Sequence, residues 1–181
     1  QAIFLIGTTE DAPNDNLPEY EEKDKVKIYR VGYIKGFRRL SRMVAMVTKI
    51  LSLHKKYKLD ILHCHYLYPI GMVGVIVQLL THLPLIVTEH GSIINESKIW
   101  WKRLIISRAA RQIKKILTTS QELANICLAM NLPKDKVINM PNAADTERFN
   151  PLLDGTLIRR RYGIKDNEIL FGCINEFCVK K

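Results

Sequence analysis

Short runs of β-branched and other apolar residues alternate along the chain with longer stretches whose apolar positions recur every three or four residues. The short runs cover residues 3–6, 26–31, 60–63, 85–88, 116–119, 137–140 and 169–174, and each predicts a strand. The periodic stretches cover 38–57, 71–82, 98–113 and 121–130, and each predicts a helix. In the first of them Leu40, Met43, Val44, Val47, Ile50, Leu51 and His54 form the apolar row. The strands read as continuous apolar runs, the pattern of strands covered on both faces. Strand and helix alternating in this way predict a doubly wound α/β fold: a parallel sheet with helices on both faces.

In such sheets ligands bind outside the carboxyl ends of the strands, so the polar residues just past each strand are the candidates for function. They are Gly7-Thr8-Thr9, His63-Cys64-His65-Tyr66, Glu89-His90-Gly91-Ser92, Ser120-Gln121-Glu122 and Pro141-Asn142-Ala143. His63 and His65 are two apart on a strand and point to one side, with Cys64 on the other. A metal would need His90 from an adjacent strand and a further ligand, and no carboxylate is placed to supply it; no metal is expected. Ser120 reads as the N-cap of the helix at 121–130. The chain has no G-x-G-x-x-G, no P-loop and no G-x-S-x-G, which argues against a classical dinucleotide site, a P-loop site and a serine nucleophile.

Composition sharpens this picture in one respect. Of 181 residues 47% are hydrophobic, enough for a real core, and 28 Lys plus Arg stand against 18 Asp plus Glu, a formal charge of +10. The charge is local. Residues 10–24 hold seven acids and one lysine and read as an acidic surface loop. Residues 35–58 carry eight Lys or Arg without an acid, and 98–115 carry seven without an acid. These are either solvated faces of packed helices or an anionic-partner surface. Few aromatics are interleaved with the charge and no RNA or DNA module is present, so no nucleic acid is expected as partner. Four cysteines without a CxxC pair suit a reducing cytoplasm. No apolar run approaches the length of a membrane span, and the N-terminus does not read as a signal peptide.

Taken in order, the segments resemble the family 4 glycosyltransferases. Asp60-Ile-Leu-His-Cys-His65 is similar to the family's D-x-x-H-x-H and is followed by Gly71. Pro84-Leu-Ile-Val-Thr-Glu-His-Gly91 is similar to P-x-V-x-T-x-H-G, and Ile116-Leu-Thr-Thr-Ser-Gln-Glu122 to V-I-x-x-S-x-x. Lys136-Val-Ile-Asn-Met-Pro-Asn-Ala-Ala-Asp145 resembles K-I-x-V-I-P-N-G-V-D, and Thr146-Glu147-Arg148-Phe149 resembles T-x-x-F.

The resemblance implies a GT-B fold of two Rossmann-like domains, with residues 1–150 as the N-terminal, acceptor-side domain without its first strand. Residues 151–181 would be a linker helix and the first strand of the donor-binding domain. The implied reaction of an intact relative is retaining transfer of a sugar from a nucleotide-sugar to an acceptor hydroxyl, with no metal and no cofactor. The resemblance implies His90 as the catalytic contact near the donor sugar. His65, Tyr66, Gly91, Ser92 and Asn142 would line the acceptor side, and Lys181 would meet the donor diphosphate. Asn175 and Glu176 stand where relatives carry glycine and arginine, and a carboxylate repels a diphosphate. By this alignment most of the donor-binding domain falls outside these residues, so they alone are expected not to catalyse transfer. A cytoplasmic protein is expected, peripheral at an anionic membrane face through 35–58 and 98–115. The rival reading is a degenerate, non-catalytic module with a basic docking surface; a nucleic-acid-binding α/β domain ranks below it.

Overall fold

In the computed structural model, residues 3–7, 18–31, 38–165 and 167–172 are described. The chain divides into two compact units, Gln1–Asn142 and Ala143–Lys181. The first holds two sheets. One has the order β1-β3-β2, from β1 (Ile3–Gly7), β2 (Tyr20–Lys23) and β3 (Val26–Val31). The other has the order β4-β5-β6-β7, from β4 (Leu62–His65), β5 (Leu85–Glu89), β6 (Lys115–Thr118) and β7 (Val137–Asn139). Every pairing in the second sheet is parallel.

Helices α1 (Arg38–Tyr57), α2 (Ile70–Thr81), α3 (Ile93–Glu96), α4 (Trp100–Ala110) and α5 (Gln121–Ala129) fall between the strands. Together these elements make a Rossmann-like α/β architecture, its parallel sheet flanked by helices. The core of the four-stranded sheet is built from Leu62, Cys64, Leu85, Val87 and Ile116, packed with Val77, Ile106, Ala110, Ile113, Leu123 and Cys127. Helix α2 lies close on that face because Gly74 removes a side chain there. A Cβ at Gly74 would stand 2.7 Å from Cys64 Sγ and 2.8 Å from Leu85 Cδ1. Ser120 caps α5 as its sequence position suggests, its hydroxyl accepting from the Leu123 amide at 3.3 Å.

Three expectations are corrected. The acidic stretch 10–24 is not loop throughout: Tyr20–Lys23 is a strand, antiparallel to β3. Its acids meet bases across the ladder, Glu22 on Lys27 at 3.6 Å and Glu21 on Arg30, so the charge that marks a solvated loop here specifies a strand pair. The helix expected at 98–113 is shorter, Trp100–Ala110, because Ile99 is extended (φ −104, ψ 111) and delays its start. The strand expected at 169–174 does not form over its described part, 169–172; residues 173–174 lie outside the described residues. In the second unit, residues Thr156–Arg161 form α6, a short helix inside the expected linker. Among the described residues no helix is long and apolar enough to cross a membrane.

Candidate functional site

Strand β4 begins two residues later than its apolar run suggests, and this places both His63 and His65 on the ladder. Leu62 and Cys64 turn into the core while His63 and His65 turn outward. The parallel register sets His63 against Ile86 and His65 against Thr88, so His90, just past the end of the neighbouring strand, comes beside His65. The outcome is a contact: His65 Nδ1 lies 2.8 Å from His90 Nε2. The two rings meet edge to edge, their planes 18° apart and their centroids 5.1 Å apart, and the His63 ring lies at 28° to that of His65 with centroids 4.8 Å apart. His63 Nε2 also reaches Thr88 Oγ1 at 2.8 Å. Tyr66, at φ 75, turns its ring to within 5.4 Å of His90.

One nitrogen of the His65–His90 pair must carry the shared proton. If His65 donates, His90 Nε2 is bare and its Nδ1 carries hydrogen toward a ligand; if His90 donates, the polarity of both outer nitrogens reverses. The pair thus offers one donor and one acceptor, exchangeable by moving a proton. Desolvation, then the neighbouring His63 and His90, hold the His65 imidazole below its ordinary pKa and favour the neutral ring.

The loop carrying His90 is fixed from beneath by a residue that the sequence reading did not single out. Glu89 is fully buried. Its Oε1 accepts from the Gly91 amide at 2.9 Å, the Ser92 hydroxyl at 3.0 Å and the Ile93 amide at 3.1 Å. Its Oε2 accepts from the Leu67 amide at 3.0 Å, on the loop after β4. One carboxylate therefore ties together both loops that bear the outward side chains. It also does the capping at α3 that Ser92, the N-cap residue, does not perform. The alternation of β5 carries the signal: residues at 85, 87 and 89 share one face, so a glutamate at 89 points inward with Leu85 and Val87.

His65, Tyr66 and His90 are thus brought together, and Gly91 and Ser92 are held beside them through Glu89. Gly91 adopts φ 126, a conformation that side chains avoid. Asn142 is exposed past the end of β7, two strands across from β5 in the sheet order, and is not part of this ring cluster. Lys181, Asn175 and Glu176 lie outside the described residues. Among the described residues no group of three His, Cys, Asp or Glu side chains is arranged to hold a metal ion.

Against known structures, the chain resembles Anabaena HepE crystallised with UDP and glucose, at 15% identity and a TM-score of 0.59, covering 77% of this chain and 38% of that one. The same protein with UDP-glucose gives 16% identity and a TM-score of 0.58, covering 75% and 36%. A glycosyltransferase from Rickettsia africae gives 15% identity and a TM-score of 0.55, covering 77% and 37%. The likeness is one of fold, and the chain spans well under half of each of these proteins. No curated protein matches in sequence. The profile of Glycosyltransferase Family 4, by contrast, matches residues 4–148, from β1 past the end of the parallel sheet and across both histidine-bearing segments. The chain belongs to glycosyltransferase family 4.

Proposed function

We propose that this chain supplies the acceptor side of an enzyme that moves a sugar, with retention, from a nucleotide-sugar to an acceptor hydroxyl. In this reading residues 1–150 are the acceptor-side domain and 151–181 lead into the donor-binding one. His90 hydrogen-bonds the transferring sugar or the charge that develops as the diphosphate leaves. His65 sets the tautomer of His90, and Tyr66, Gly91, Ser92 and Asn142 line the acceptor side. The observation that carries the reading is the His65–His90 bond of 2.8 Å at the carboxyl ends of adjacent parallel strands, where this fold places ligands. UDP-sugars are the first donors to examine, since a structural neighbour was crystallised with UDP-glucose. The basic segments at 35–58 and 98–115 would hold the protein to an anionic membrane on its cytoplasmic side.

Transfer from radiolabelled UDP-glucose, followed for the chain alone and for the chain extended by a complete donor-binding domain, tests the proposal. Transfer is expected only from the extended protein. His90→Ala there is expected to lower kcat by about tenfold or more with Tm unchanged. Equal turnover by the variant would remove His90 from the reaction.

A further inference from the structure

The outward face of α4 has a composition that a packed helix does not need. Its inner face, Ile106, Ala109 and Ala110, is buried. Outward, Trp100 and Leu104 lie in one row with Arg108 and Arg111, and Trp101 and Ile105 lie beside them. All six are exposed, Trp100 to 76%. Four large apolar side chains in one continuous exposed patch are unusual on a surface that faces only water.

The patch is also attached to the site. The Tyr68 ring meets Trp101 edge-on, with centroids 6.2 Å apart, and Lys102 Nζ lies 5.1 Å from the Tyr68 ring and 5.5 Å from that of Trp101. Tyr68 stands in the β4–α2 connection, two residues past Tyr66.

We propose that this face of α4 inserts shallowly into an anionic lipid bilayer, with Trp100, Trp101, Leu104 and Ile105 at the acyl boundary and Arg108 and Arg111 on lipid phosphates. The proposal rests on the membrane partner proposed above and narrows it from a charged segment to one inserting row. Indole rings favour the boundary between headgroup and hydrocarbon, and guanidinium pairs with phosphate in two-point bonds. At eleven residues α4 is too short to span a bilayer and suits a position in its plane. Charge decides between lipid and a second copy of the chain as occupant. Residues 98–115 carry seven bases and no acid, so two such faces would repel, whereas an anionic surface attracts each. Inserted this way, α4 holds the β4–α2 loop, and with it the histidine cluster, next to the lipid surface. The acceptor this favours is one presented at that surface.

The chain has two tryptophans and both are in the patch, so their fluorescence reports on it alone. The chain is mixed with vesicles of phosphatidylcholine and phosphatidylglycerol in equal parts, and with phosphatidylcholine alone. Only the anionic vesicles are expected to shift the emission to the blue and to allow quenching by brominated acyl chains. Leu104→Glu, an exposed change that leaves Tm in place, is expected to weaken this binding about tenfold or more. Arg108→Gln with Arg111→Gln is expected to weaken it about tenfold and to reduce its salt dependence. Vesicle binding without a blue shift, abolished by salt, would overturn insertion while leaving a charge-held membrane partner standing. No vesicle binding at all would overturn both. Concentration-dependent dimerisation that Leu104→Glu abolishes, with no lipid response, would identify a second copy as the occupant and overturn the proposal.

Discussion

Glu89 forms no ion pair among the described residues, although it is fully buried. Three amides and a hydroxyl meet its oxygens instead, and the arrangement tolerates no change in their polarity. Glu89→Gln keeps the volume and one accepting oxygen, but it turns an NH2 group toward either the Leu67 amide or the three donors of the His90 loop. A buried donor facing a donor costs about 1–3 kcal/mol. Urea unfolding of the variant is expected to show a loss of that size with an unchanged m-value. A loss below a few tenths of a kcal/mol would mean that the carboxylate is dispensable. His65 and His90 were legible as residues because imidazole past the end of a buried strand stands out from its surroundings. Glu89 was not, because a glutamate in sequence reads as solvent-facing, and only four donors converging from two loops make it worth burying.

Among the elements, β5 and α5 fall within a residue or two of their apolar runs, and α1 spans the residues its period marks. The departures have local causes. Strand β2 exists because its acids pair across the ladder with Lys27 and Arg30 on a strand five to ten residues away, a partnership that composition does not reveal. The extended Ile99 that delays the start of α4 is equally hidden, since the helical period takes it in. Gly74 shows an element set by what it lacks: α2 sits where Cys64 and Leu85 leave no room for a Cβ. Gly74→Ala gains helix propensity yet must push α2 off the sheet, and overpacking of this kind costs about 1–3 kcal/mol. Differential scanning calorimetry is expected to show a lower Tm. A raised Tm would show that the helix can shift at no cost.

For the whole molecule, His65 in the imidazole cluster makes stability depend on pH. The sign follows from His65, whose folded pKa lies below its ordinary 6.5 because desolvation and the flanking His63 and His90 disfavour the cation. Between the folded value and 6.5 the unfolded chain binds more protons, so stability rises with pH. It is present in full above about 6.5 and is lost as pH falls through the folded value. Thermal unfolding scanned downward from pH 8 is expected to show Tm falling below about 6.5, and His65→Gln is expected to flatten that slope. An equal slope in the variant would assign the dependence to other groups. The same desolvation and neighbouring imidazoles that make His65 acid-sensitive make the pair usable, since a neutral pair can present a donor and an acceptor together.

The sequence by itself determined the α/β class, most element positions, the family resemblance and the strand ends where function concentrates. These depend on periodicity and on short motifs, which are properties of neighbouring residues. Which histidines touch, and which carboxylate holds their loops, was decided only by the tertiary structure, because parallel register brings together residues twenty-five apart along the chain. The split of the strands into two sheets was decided there too, since pairing is a choice among distant partners. The exposed tryptophan row on α4 belongs with these: its apolar residues read as core until packing shows which face of the helix the sheet takes.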